Sequence, residues 1–311
     1  MAGALSTAVG EASDPEWRAA LAAAPFVPLQ QTAPYAAALR RRGLRVHRLV
    51  ALRDGAPVAF VQAATRMAGQ FGWLTAATRG PVFARPDAAA LAGLARALGR
   101  TWPHLLLLGP ELEAGDAART LLRQGHLRPV MTGASVALID LARDDAARRA
   151  SLHQKWRNRL VRAEGAGLRV EIVRGGKHLA WLLDAHRRLE TRKGFRGAPA
   201  AFVADALAAA EPANIFAALA LRRSTPLAGA LALRQGSGAT YWIAAAEPEG
   251  REAQAGTLVL WRLTAALGGS GVATLDLGQL DTDRSPDLAR FKLGAGARVS
   301  TLCGTWTPFP V

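Results

Sequence analysis

The chain has 311 residues, 50% hydrophobic and 20% charged, which excludes a disordered polymer and allows two medium-sized cores. Its net charge is +15, carried by both halves without a basic tail, and only four of the 39 basic residues are lysines; such a balance attracts polyanions such as tRNA or anionic lipid, although an Ala- and Arg-rich composition produces the same number. The single Cys303 excludes internal disulfides and a thiolate zinc site, no apolar run reaches the ~18 residues of a membrane helix, and no basic stretch precedes a long apolar core at the start, so the expected compartment is the cytoplasm.

In chain order, helices are expected over 16–24 and 34–42. A hairpin follows over 46–52 and 57–65, turned by Asp54-Gly55. A strand at 72–76 leads to a helix over 87–100, a buried strand at 104–108, a helix over 115–124 stopped by Gly125, and one long strand over 130–140. The second half opens with a single helix over 144–164. Then come a strand at 168–173, helices at 177–193 and 199–210, strands at 215–222, 227–234 and 239–245, a helix at 256–267 and a strand at 274–277. A polar loop then brings Phe291-Lys292 to a glycine-rich turn at Gly294 and Gly296.

Along the 144–164 helix, Trp156, Leu160 and Ala163 continue an apolar stripe begun by Leu152. Lys155, Arg159 and Arg162 share another face, with Arg157 nearby. Stacked like charges cost a few tenths of a kcal/mol per pair. An anionic partner offsets that cost, and a solvated face is the alternative. Histidines show no metal-ligand spacing, and no arrangement supports a hydrolase triad. The segment Arg234-Gln235-Gly236-Ser237-Gly238-Ala239 matches a pyrophosphate-cradling pattern in letters, but it joins two strands, so a hairpin turn is expected. The loop at 247–257, which stands between a strand and a helix, has Gln254 where such a cradle needs glycine.

Leu29-Gln30-Gln31 with Tyr35, Arg79-Gly80-Pro81-Val82, the 152–167 helix, Thr191-Arg192-Lys193-Gly194-Phe195, Asp276-Leu277-Gly278, and Phe291-Lys292 occur in this order. Together these segments resemble the Fem family, aminoacyltransferases that build peptidoglycan interpeptide bridges. Ala295 stands where the family's second aromatic would be, and Gly109-Pro110 where its Asp-Pro would be. The resemblance implies an α/β (α+β) fold of two tandem domains of the N-acetyltransferase (GNAT) type, with mixed sheets flanked by helices, placed at 1–143 and 144–311. It implies transfer of an aminoacyl group from aminoacyl-tRNA to an amine of a peptidoglycan precursor. Lys292 would be the catalytic cation and Phe291 would pack beneath the terminal adenine. Arg40, Arg79, Lys155, Arg157, Arg159, Arg192, Lys193, Arg196 and Asp276 would bind substrate. No cofactor is implied, aminoacyl-tRNA being a co-substrate. An acyl-CoA-dependent N-acyltransferase, and a non-catalytic binder of RNA or anionic membrane, are the alternatives. The expected state is a monomer, with contact to the inner face of the membrane as a further expectation.

Overall fold

The computed structural model describes residues 7–69, 72–101, 105–193 and 197–309. Internal contacts divide the chain into two units, Met1–Ser135 with Ser300–Val311, and Val136–Val299. The boundary expected after residue 143 thus falls eight residues earlier, and the last twelve residues belong to the first unit. The reason is a C-terminal strand, Thr305–Pro308, that pairs within the first sheet.

The first unit runs β1 (Thr7–Glu11), α1 (Asp14–Ala23), α2 (Ala33–Arg41), β2 (Arg45–Arg53), β3 (Ala56–Met67), β4 (Trp73–Ala77), β5 (Val82–Phe83), α3 (Ala88–Thr101), β6 (Leu105–Leu108), α4 (Asp116–Gln124) and β7 (Leu127–Met131). Its sheet has the order β1-β2-β3-β4-β6, then the C-terminal strand, then β7, with β5 beside β3. Ser13 and Glu16 close a capping box at α1, the carboxylate accepting from the Ser13 amide at 2.8 Å. Asp54 and Gly55 both have positive φ, the geometry a two-residue hairpin needs. α3 packs against β1, β2 and β3, and Leu91, Leu94 and Leu98 are fully buried there.

Two of the family-like segments meet inside this unit. The Gln31 side chain is fully buried; its Nε2 donates to the carbonyls of Gln62 at 3.1 Å and Thr78 at 2.9 Å, and its Oε1 accepts from the Gln62 amide at 2.6 Å. A Cβ on Gly80 would lie 2.5 Å from that Nε2. The glycine of Arg-Gly-Pro-Val is therefore small because Gln31 lies against it.

The expected 130–140 strand is two strands in two sheets. β7 ends at Met131 and β8 (Ser135–Asp140) starts the second sheet. Between them the backbone at Gly133 comes so close to the carbonyl of Leu302 that a Cβ would overlap it.

After β8 the second unit runs α5 (Asp145–Ala150), α6 (Gln154–Glu164), β9 (Arg169–Val173), α7 (Gly176–Lys193), α8 (Ala200–Leu207), β10 (Ile215–Arg222), β11 (Thr225–Gln235), β12 (Gly238–Ala246), α9 (Pro248–Glu252), α10 (Ala255–Gly269), β13 (Thr274–Gln279), α11 (Pro286–Gly294) and β14 (Arg298–Thr301). The sheet order is β14-β8-β13-β12-β11-β10-β9. β10 is buried from Ile215 to Leu221 because helices cover both faces: α10 packs on β10 and β11, and α7 contacts β11 and β12. The segment from Arg234 to Ala239 is a hairpin turn, with Gln235 opposite Gly238 and Gly236 at positive φ.

Two corrections to the expected elements bear on function. The 144–164 helix is broken at 151–153, where the Ser151 hydroxyl donates to the Arg148 carbonyl at 2.7 Å and His153 caps α6. The expected loop before Gly294 contains α11, so Phe291 and Lys292 are helical. Among the described residues no helix is long and apolar enough to cross a membrane.

Candidate active site

β12 and β13 pair in parallel for only three residues, ending at Thr240 opposite Asp276, although β12 continues to Ala246 and β13 to Gln279. The strands therefore part at Asp276. This carboxylate is fully buried (0% exposed) and accepts from the Gly278 amide at 2.6 Å. Gly278 turns the chain with φ near +79°, a conformation that suits glycine.

Lys292 reaches this turn from the last turn of α11. It is 7% exposed, and its Nζ donates to the Gln279 carbonyl at 2.8 Å. Burial lowers its pKa, and the Asp276 carboxylate opposes that shift. A cation at a helix C-terminus also suits the helix dipole. The result is a held ammonium in a partly dry setting, where it acts more strongly on a developing negative charge than it would in water.

The next residue back, Phe291, lies half-buried against Trp156 of α6, ring centroids 6.0 Å apart and planes inclined by 42°. A Cβ on Gly294 would come within 2.9 Å of Trp156 Cδ1, and the Gly294 carbonyl accepts from the His153 amide at 3.0 Å. α11 is thus pinned to the start of α6. The apolar stripe on α6 is buried as its spacing requires: Trp156, Leu160 and Ala163.

The other expected substrate-binding residues divide by their surroundings. Lys155 and Arg159 are exposed on α6, as is Arg162, and can meet an anion. Arg157 instead donates through Nη2 to the carbonyls of Ala150 at 3.0 Å and Leu152 at 3.1 Å, satisfying the end of α5. Asp276 is buried and internally bonded, so it supports the turn and does not face a ligand. Arg79 donates to Glu111 through Nε at 2.7 Å and again through Nη2, with both side chains largely buried. That pair is a structural tie in the first unit, and it also occupies Glu111, a possible substitute for the missing Asp-Pro carboxylate. Arg40 is exposed in the last turn of α2. Arg196 lies outside the described residues, and of Arg192 and Lys193 only the helical backbone is described.

A recess in the first unit was not foreseen. It lies between α2, β3 and β4, offers about 140 Å³ to the centre of a water-sized sphere, and is walled by Leu39, Leu44, Ala64, Leu74 and Ala76. Its polar groups are Gln30, Tyr35, Gln62, Arg66 and Thr78. Gln62 is anchored by donating to the carbonyls of Gln30 at 2.9 Å and Thr32 at 3.1 Å. Gln30 Oε1 is buried without a hydrogen-bond partner, an acceptor left for a donor group. The sequence signal for it was Gln62, an amide inside the apolar stretch 57–64 of β3.

The segment at 247–257 folds as α9 joined to α10 through Gln254 in a left-handed conformation. Glu249 is paired with Arg222, and Gln254 Nε2 donates to the Arg251 carbonyl at 3.0 Å. A helical turn thus fills the place where a glycine-rich pyrophosphate loop would lie.

Residues 146–292 match the acetyltransferase (GNAT) domain family. Over 96% of both chains the fold superimposes on the crystal structure of FemX, with a TM-score of 0.82 at 16% identity. The chain has a Fem-like tandem GNAT fold. It also resembles the C-terminal domain of a putative lysylphosphatidylglycerol synthetase from Agrobacterium fabrum, with a TM-score of 0.56, 15% identity and coverage of 92% and 90% of the two chains. A tandem GNAT protein from the clavulanic acid biosynthesis pathway superimposes with a TM-score of 0.54 at 13% identity over 97% and 98%. No curated protein matches the sequence. The domain match places this Fem-like protein in the acyltransferase class.

Proposed function

We propose that the protein is an aminoacyltransferase that moves an aminoacyl group from aminoacyl-tRNA to an amine of a peptidoglycan precursor. The observation that carries this reading is the buried Lys292 ammonium, held on the Gln279 carbonyl beside the point where β12 and β13 part. The acceptor nitrogen attacks the ester carbonyl carbon, and the carbonyl oxygen gains negative charge. The C–O bond to the ribose then breaks, and the proton lost by the amine ends on the departing ribose oxygen. Lys292 supplies the positive charge for the oxyanion or for the terminal tRNA phosphate. Phe291 offers a ring face to the terminal adenine while its other contacts fix α11 on Trp156. The exposed row of Lys155, Arg159 and Arg162 meets the phosphate backbone.

The recess of the first unit, taken by itself, is proposed to hold an amide-bearing aliphatic ligand. Its apolar walls suit the aliphatic part of a muropeptide, Gln30 Oε1 accepts from an amide, and the exposed Arg40, next to Leu39 of the wall, suits a diphosphate. No cofactor enters this scheme. The protein works in the cytoplasm as a monomer, with its basic surface able to meet anionic lipid at the inner face of the membrane.

The test is incubation of the protein with mixed charged tRNAs and a muropeptide extract, and separately with CoA thioesters, followed by mass spectrometry of the acceptor. The expected result is an acceptor heavier by one aminoacyl residue, from charged tRNA alone. Transfer only from a CoA thioester would replace the donor in this proposal. Salt-sensitive RNA binding without transfer from either donor would end it.

A further inference from the structure

The second unit contains another recess, which the Lys292 scheme does not use. It opens among β8, α5, α6 and α10, and about 30 Å³ of it is open to the centre of a water-sized sphere. Arg143, Arg148, Ser151, Trp156, Trp261 and Gly296 are among its lining residues.

Arg148 is 6% exposed. Its Nη2 is bonded to Asp145, a carboxylate that stands mostly in solvent. Its Nε and Nη1 are buried without any hydrogen-bond partner. The guanidinium lies 5.5 Å from the ring centroid of Trp261. Arg149 lies 5.8 Å from the same centroid, but its guanidinium is tied to Glu164 at 2.9 and 2.7 Å. Trp156 lines the same recess, and its Nε1 is a third buried donor nitrogen without a partner.

Buried donors in folded proteins nearly always have acceptors, and three nitrogens lacking them around one recess is an imbalance of one kind. What these three nitrogens lack is an acceptor oxygen. A guanidinium is permanently charged, so burying it calls for a compact anion more than for a neutral carbonyl. Arg143 adds a second cation to the lining. The lining also holds one carboxylate, Asp140, whose Oδ1 already accepts from the Ala142 amide at 3.0 Å. The Ser151 hydroxyl proton goes to the Arg148 carbonyl, so that oxygen is not a competing donor.

We propose that this recess binds the oxyanion head of a small ligand, a phosphate or a carboxylate, with Arg148 and Trp156 as donors and the Trp261 ring as a wall. The rest of the ligand extends through the open mouth. Trp156 also touches Phe291, ring centroids 6.0 Å apart. Binding itself is independent of the role given to Lys292.

The test is an indole ¹⁵N–¹H spectrum of the full chain, titrated with sodium phosphate and, separately, with sodium acetate, at ionic strength held constant with chloride. The expected result is a saturable shift of one indole resonance, the one missing from Trp156→Phe, with at least one of the two anions. Arg148→Gln is expected to weaken that binding about tenfold, and Arg143→Gln about threefold. No movement of that resonance with either anion overturns the proposal, as does unchanged affinity in Arg148→Gln. Should Arg148→Gln fail to fold, Arg143→Gln decides, and equal affinity there overturns the assignment. If Trp156→Phe does not fold, the wild-type titration still decides, because a spectrum in which no indole moves leaves no site.

Discussion

The Lys292 ammonium donates to the carbonyl of Gln279 at 2.8 Å, joining the end of α11 to the end of β13 across the loop between them. That bond holds the cation in place before any substrate arrives. Preorganisation of this kind is what makes a single charge effective in transfer chemistry. Replacement of Lys292 by Ala or Met is expected to lower aminoacyl transfer by about 10²-fold or more, with far less change in acceptor binding. Single-turnover transfer measured beside acceptor affinity checks this; equal losses in both would make Lys292 a binding residue only.

Stability should carry the signature of the same lysine. Burial holds its pKa below the ordinary 10.5, so the folded protein releases this proton before the unfolded chain does. Between the two values the unfolded state binds more protons, and stability rises with pH across that window. The contribution is complete above 10.5 and is lost as pH falls through the depressed folded-state value. Lys292→Met keeps most of the stem and removes the titration. Its urea midpoint is expected to exceed that of the wild type at neutral pH, with the difference shrinking as pH nears 10.5. A pH-independent difference would contradict the burial argument.

The seam between α11 and α6 is tight. Gly294→Ala places a methyl 2.9 Å from Trp156 Cδ1, and the strain is expected to cost ~1–3 kcal/mol. Phe291→Ala removes a half-buried ring from Trp156 and should cost ~2 kcal/mol or more, whereas Phe291→Leu costs less. Denaturant unfolding measures both. If Gly294→Ala is neutral in stability and transfer, α11 is not positioned by Trp156.

In the first unit, Arg79 and Glu111 form a largely buried ion pair with two bonds. Removing one partner leaves the other charge buried, so Arg79→Ala or Glu111→Ala alone should cost ~3 kcal/mol. The double variant should cost less than the two single losses together. Purely additive losses in a double-mutant cycle would mean that the two groups act separately, and would reopen Arg79 as a ligand contact.

Gln31→Leu tests a neutral network in the same unit. It deprives the Gln62 amide and two carbonyls of their partner, with an expected loss of ~2–4 kcal/mol. Equilibrium unfolding reads that loss directly, and a change below ~0.5 kcal/mol would show that water replaces the amide without cost.

Local chemistry made much of the fold legible. Asp54-Gly55 announced its hairpin, the repeats of Trp156, Leu160 and Ala163 announced the buried face of α6, and the largely apolar run at 215–222 announced a strand. Three things were not legible. The 130–140 run is mostly apolar and small and reads as one strand, but Gly133 lies against Leu302, 169 residues away in sequence, and the run divides between two sheets. The segment at 286–294 follows a polar loop and reads as part of it, and its helix shows where Ala289 and Lys292 are buried and Phe291 meets Trp156. Arg148 resembles any other arginine in an arginine-rich stretch, and its burial depends on Trp261.

By itself the amino-acid order determined the class of the fold and the small set of residues in which a rare lysine follows a phenylalanine, because strand and helix periods and turn residues act over a few positions. The tertiary structure alone decided which charged groups face a ligand and which are absorbed by the protein. Lys292 meets a carbonyl 13 residues back, Arg79 a carboxylate 32 residues on and Arg157 the end of the preceding helix because the folded chain packs these partners beside them, and burial, which sets the strength of each charge, is a property of that packing.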